Sequence, residues 1–251
     1  MTPRPAGSPP RARRRLLLVV LGASLLVVLA VVGAVLVREQ NGFVVRHDLS
    51  IEAAAHRAVL ASPTLLAAAR AVTHAGDPLT RWVIAAAVVA YLAWRRSWRL
   101  TAFYAGAVLG GLVVVNVIKG AVGRLRPQLD APVAHAGGPS FPSGHAMGAT
   151  ILYGGLVLLV APLLARWARW LVIAVAALLV AAIAASRVLL GVHYLSDVVA
   201  GCALGLAWLV LTVGVFQTWR QGRGERFVAD PLVEGVDPAE QEQLGGRQRT
   251  G

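Results

Sequence analysis

The sequence is poor in most of what soluble enzymes are built from. It has one cysteine, one lysine and 12 acidic residues in 251 positions, and charge falls on only 14% of them. The lone Cys202 excludes an intrachain disulfide and any multi-cysteine metal site; lying inside an apolar run, it reads as packing. Charge this sparse, beside 57% hydrophobic residues, excludes an ordinary soluble domain, which has no use for so much apolar sequence. The formal net charge is +12, nearly all arginine. No separate soluble domain presents a basic face, so no nucleic-acid partner is expected. Loop arginines that set membrane orientation account for the charge.

What is present is apolar sequence in blocks, several of them close to the ~20 residues that cross a bilayer as a helix. Residues 1–15 are rich in Pro, Gly and Arg and are expected to be a disordered cytoplasmic segment. The run Leu16–Val37 follows Arg13-Arg14-Arg15. Small residues at Gly33-Ala34 would suit a cleaved signal peptide, but the run exceeds a signal h-region and reads as an uncleaved anchor. From Asn41 to Asp77 the chain is mixed, with Asp48 or Ser50 as candidate N-caps and Ala-rich turns on both sides of Pro63. One or two short helices at the interface or against the bundle are expected there. Five further apolar runs follow, at about Leu79–Trp94, Leu100–Ile118, Ala146–Leu164, Trp170–Ala185 and Tyr194–Phe216. Residues 220–251 are polar and expected to be a disordered tail.

The expected fold is therefore all-α: a polytopic membrane bundle over residues 16–219 with six transmembrane helices and short extracytoplasmic helices. Arg13–Arg15, Arg95, Arg96, Arg99, Arg166, Arg169, Arg220 and Arg223 fall on one side, which the positive-inside rule makes cytoplasmic together with both termini. Segments 38–78, 119–144 and 187–193 then face the other side of a cell membrane. The tryptophans mostly mark span ends, as in an interfacial belt. No internal repeat is evident.

Three polar constellations sit at ends of apolar runs on that outer side. The first holds Lys119, the one lysine among 24 basic residues, and Arg126-Pro127. An ammonium is a compact point charge and a guanidinium a fork for two phosphate oxygens; both also suit anchoring to lipid headgroups. The second is Pro142-Ser143-Gly144-His145, opening an apolar run. Ser143 can cap a helix, Gly144 lets a ligand approach the backbone, and free N–H groups favour an anion beside His145, placed to protonate a leaving oxygen. An ordinary cap with an interfacial histidine is the plainer reading. The third runs from Ser186-Arg187 to His193 and Asp197. On a helix the last two share a face, so the carboxylate can hold the imidazole in the tautomer whose other nitrogen attacks; a structural His–Asp pair has the same spacing. Jointly they supply three cations, two histidines, a carboxylate and N–H donors on one membrane face, a set suited to phosphoryl transfer without a metal or other cofactor.

The pattern Lys119…Arg126-Pro127, Pro142-Ser143-Gly144-His145, Ser186-Arg187…His193…Asp197 resembles the three-part signature of the type-2 phosphatidic acid phosphatase superfamily, over about residues 70–215. That superfamily shares its pocket with soluble acid phosphatases and vanadium haloperoxidases. The resemblance implies that His193 is a nucleophile forming a phosphohistidine, that Asp197 orients it, and that His145 is the general acid. It implies that Lys119, Arg126, Arg187, Ser143 and Gly144 bind phosphate, and that the substrate is a lipid phosphate or pyrophosphate such as undecaprenyl pyrophosphate. The stretch Thr73-His74-Ala75-Gly76-Asp77 resembles one common before the second span, with His74 structural. A phosphotransferase, a haloperoxidase-like enzyme and a non-catalytic lipid-phosphate binder are the alternatives. Soluble haloperoxidases fit a membrane chain poorly, and a mere binder has no need of a nucleophile and an acid.

Overall fold

The computed structural model describes residues 10–38, 42–129 and 131–221. Residues 1–9 and 222–251, most of the two segments expected to be disordered, lie outside them. The elements are α1 (Pro10–Arg38), α2 (Phe43–Ala61), α3 (Pro63–His74), α4 (Pro78–Trp94), α5 (Trp98–Val122), α6 (Gly144–Val160), a 3-10 turn (Ala161–Leu163), α7 (Arg166–Leu189) and α8 (Leu195–Gln221). No strand occurs among the described residues. Bilayer burial favours this, because a helix satisfies every backbone polar group within its own segment. The first helix begins at Pro10, inside the stretch expected to be disordered.

Among the described residues, five helices are long and apolar enough to cross a membrane: Leu16–Arg38, Trp98–Val122, Gly144–Leu163, Arg166–Leu189 and Leu195–Phe216. The remaining expected span, α4, has 17 residues. At 1.5 Å per residue it is ~25 Å long, short of the ~30 Å hydrocarbon core. Its Ala85 and Leu92 are buried against Phe103 and Tyr104 of α5 and Leu152 of α6. Large apolar residues such as Val27, Val117 and Leu178 point outward from the bundle, as lipid-facing side chains do.

Local sequence sets the ends that matter. Proline opens α3 and α4 at positions where a helix has no use for the missing N–H. Asp48 and Ser50, expected as caps of their own helix, do not cap it: α2 starts after Gly42, and both lie within the helix. Helix α5 stops at Gly123, whose φ of 64° is costly for any residue with a β-carbon. The chain thus turns back over the end of the bundle one turn after Lys119.

Close helix contacts bring the site together. Helix α8 packs along α1 on one flank and α6 on the other. A β-carbon at Gly201 would stand 2.7 Å from the Ser143 carbonyl, and one at Gly205 3.0 Å from that of Met147. Glycines four apart on α8 let the start of α6 rest on the start of α8, as small residues do between membrane helices. Helices α2 and α3 pack against α7 at the same end of the bundle.

Candidate active site

His193 lies just before α8, in the turn that leaves α7, and Asp197 lies in the first turn of α8. The expected pairing is present, although across the helix start rather than along one helical face. His193 Nδ1 is 3.4 Å from Asp197 Oδ2. The same carboxylate oxygen accepts from Ser140 Oγ and, at 2.9 Å, from the Tyr194 N–H, while Oδ1 accepts from Arg124 at 2.6 Å. Asp197 is fully buried and His193 only 2% exposed. With Nδ1–H directed at the carboxylate, Nε2 carries the lone pair; it lies 3.1 Å from Arg126 Nη1 and lines a cavity of about 320 Å³. Burial pushes the His193 imidazole down to about 4, against the opposing pull of Asp197. At neutral pH the ring is a neutral base with an available lone pair.

Three predicted cations line the cavity with that nitrogen. Lys119, in the last turn of α5, donates to the Pro139 carbonyl at 2.5 Å. Arg126 donates to the carbonyls of Gly138 and Gly137, both at 3.0 Å, and of Val192 at 2.6 Å. Arg187, buried near the end of α7, donates to Thr73 Oγ1 at 2.7 Å. The loop carbonyls of 137–139 aim two of the three cations, which line the cavity with Gly144, His145 and His193.

His145 is the second residue of α6, and its Nε2 is 2.9 Å from Asp77 Oδ1. The other oxygen of Asp77 pairs with His74 Nδ1 at 2.7 Å. Burial acts to raise the Asp77 carboxyl, but hydrogen bonds from His145 and His74 outweigh it and hold the group below the usual carboxylate range. A carboxylate only accepts, so His145 gives it the Nε2 proton and keeps Nδ1 for a ligand. The N–H groups of Gly144 and His145 meet no acceptor among the described residues, leaving the start of α6 open to an anion.

One predicted residue stands apart. Ser143 is fully buried and does not line the cavity. Its Oγ accepts from the Ala146 N–H at 3.4 Å and its N–H donates to the Asp197 carbonyl at 2.9 Å. It caps α6 and ties it to α8.

Sequence reasoning also missed a supporting layer. Arg124 donates to Asp48 at 2.7 Å and to Asp197 at 2.6 Å, with its guanidinium 4.2 Å above the Tyr194 ring. Asp48 accepts from the Ser196 N–H at 2.9 Å, so it caps the distant α8 instead of α2. Ser140 and Asp77 complete the layer. The only signals were Arg124 within the first motif and Asp77 closing the His74 stretch. Trp82 lines the cavity rather than merely marking a span end, and Trp208 lies mid-helix with its indole N–H on the Ala107 carbonyl at 2.8 Å.

Comparisons with known proteins converge on one family. The family model of the PAP2 superfamily matches residues 100–221. Decaprenylphosphoryl-5-phosphoribose phosphatase of Mycobacterium tuberculosis (strain ATCC 25618 / H37Rv) is 36% identical over 165 residues, 64% of this chain and 85% of that one. Phosphatidylglycerophosphatase B of Bacillus subtilis (strain 168) is 35% identical over 102 residues, 39% of this chain and 49% of that one. The crystal structure of a transmembrane PAP2 type phosphatidylglycerolphosphate phosphatase from Bacillus subtilis superposes with a TM-score of 0.66 and 25% identity, covering 81% of this chain and 98% of its own. With the family match spanning His145, Arg187, His193 and Asp197, the chain belongs to the PAP2 superfamily.

Proposed function

We propose that this multi-pass membrane protein is a lipid phosphatase that cleaves a lipid phosphate or pyrophosphate through a phosphohistidine on His193, at the extracytoplasmic face. The observation that carries the reading is His193 Nε2, backed through Nδ1 by buried Asp197 and open to a cavity ringed by Lys119, Arg126 and Arg187. The three cations and the free N–H groups of α6 would take the phosphoryl oxygens and spread the transition-state charge. His193 Nε2 attacks phosphorus as the P–O bond to the lipid breaks, and His145, entering the step as the imidazolium with its Nε2–H on Asp77, gives its Nδ1 proton to the departing oxygen. Neutral His145 then takes a proton from water as that water attacks the phosphohistidine. Inorganic phosphate leaves with His193 restored and His145 reprotonated. Nothing in this sequence of steps requires a metal, because the protein's own cations neutralise the phosphate.

The relatives act on lipid-linked phosphates by name, which supports the lipid part. The arginine distribution supports the outer placement: Arg95, Arg96, Arg99, Arg166 and Arg169 cluster at the end of the bundle opposite the cavity. The test is phosphate release by purified protein in detergent with chelator present, from phosphatidic acid, phosphatidylglycerol phosphate and undecaprenyl pyrophosphate. His193→Ala is expected to release none, and His145→Ala to accumulate an acid-labile phosphohistidine only from a substrate whose leaving group needs no proton, such as p-nitrophenyl phosphate. Full activity of His193→Ala would refute the mechanism.

A further inference from the structure

The cavity holds a fourth cation that the phosphoryl-transfer reading does not use. Arg81, on the second turn of α4, is half-buried and lines the same cavity as Lys119, Arg126 and Arg187. Those three each donate to a protein acceptor. Arg81 makes no hydrogen bond or ion pair among the described residues, and its Nε is buried without a partner. Asp77, one turn earlier, has both oxygens engaged by histidines. A guanidinium withdrawn from water and left unpaired is costly, and such a group is expected to meet an anion in the working state.

Its position along the cavity says which anion. Gly144 of α6 faces Lys119, with Cε 3.8 Å from where a β-carbon would stand. Gly148, one turn further into the bundle, faces Arg81 so closely that a β-carbon there would lie 1.3 Å from Nη1. The guanidinium therefore sits one helical turn, ~6 Å, deeper than the cluster around His193. Beyond it the lining turns apolar, with Val108, Leu112, Ile151 and Leu152. Arg81 thus stands between the phosphate to be cleaved and the end of the cavity fit for a hydrocarbon chain.

We infer that Arg81 binds a second phosphate of the substrate, one lying between the scissile phosphate and the lipid chain, and so selects lipids with two phosphate groups over those with one. This rests on the phosphatase reading above. The shared chemistry is an internal phosphate, carried either as a diphosphate or as a phosphodiester to the lipid. Gly148 is the space that admits the guanidinium.

The test measures kcat/KM for phosphatidic acid, phosphatidylglycerol phosphate and undecaprenyl pyrophosphate in the full-length protein. Loss of one charge-assisted contact is expected to lower the ratio of two-phosphate to one-phosphate activity by about 10- to 100-fold in Arg81→Gln. Arg81→Lys, which keeps the charge, is expected to recover most of that ratio. Gly148→Ala, which displaces the guanidinium without removing it, is expected to lower the ratio as well and carries the test if Arg81→Gln does not fold. The two substrates that contain an internal phosphate then show whether a diphosphate or a phosphodiester is preferred. An unchanged ratio in the folded variants, or equal losses on all three lipids, would overturn the inference while leaving the phosphatase reading intact. Wild-type protein inactive on all three would refute both.

Discussion

Arg124 joins the support of His193 to the rest of the fold, and replacing it with glutamine has two separable consequences. Its guanidinium lies 2.7 Å from Asp48 and 2.6 Å from Asp197, and the three side chains are 9%, 3% and 0% exposed. Breaking a buried pair by removing one partner costs about 3–5 kcal/mol, because the charge left behind has no compensation. Here one removal strands two carboxylates, so the loss is expected near the upper end, ~5 kcal/mol. Activity falls too, since Asp197 loses the contact that fixes its Oδ1 while Oδ2 faces the imidazole. A second change, Asp48→Asn, separates the effects. In the double variant a single stranded carboxylate remains, so about half the lost stability, ~2 kcal/mol, is expected to return, whereas kcat stays low. Thermal or denaturant unfolding in detergent gives the first quantity and phosphate release the second. A cost below ~1 kcal/mol for Arg124→Gln, as for an exposed pair, would refute the reasoning. So would recovery of kcat together with stability in the double variant.

Asp77→Asn should lower kcat by about 10- to 100-fold on lipid phosphates, whose alkoxide must be protonated as it leaves. The loss should be much smaller on p-nitrophenyl phosphate, whose leaving group needs no proton; equal losses would mean that Asp77 serves the fold and not His145. Because burial pushes His193 down to about 4, the acid limb of kcat/KM that belongs to it should fall near pH 4, not near 6.5. The unfolded chain binds that proton more readily, so the stability associated with neutral His193 is full above about pH 6.5 and is lost as pH falls toward about 4. The melting temperature of wild type should drop through this window more steeply than that of His193→Gln, and parallel slopes would refute the assignment.

The helices were legible because lipid leaves a spanning chain little choice: apolar runs of bilayer length must bond their backbones internally. The site was legible in part for a related reason. Each chemical group sits at a helix end, so Lys119, His145, Arg187 and His193 stand out as polar residues bordering apolar blocks. What stayed hidden are single residues that reach across the fold. Asp48 lies 148 residues from Ser196, and Asp77 lies 68 from His145. Such pairs have no period and no spacing rule. Ser143 misled for the opposite reason, since a serine before a glycine at a helix start suits capping and anion binding equally. The carbonyls of 137–139 are backbone groups that any residue could supply. Arg81 hid inside an apolar run, where one charge reads as tolerated rather than placed.

The capping of α8 by Asp48 bears on how the protein is made. Asp48 leaves the ribosome early, whereas the Ser196 N–H from which it accepts emerges only with the last spanning helix. Until then the cations of the first motif exist without Asp197, and the early helices carry no complete site. A nascent chain is thus chemically silent through most of its insertion. The membrane meets an active phosphatase only when the final span docks against the first.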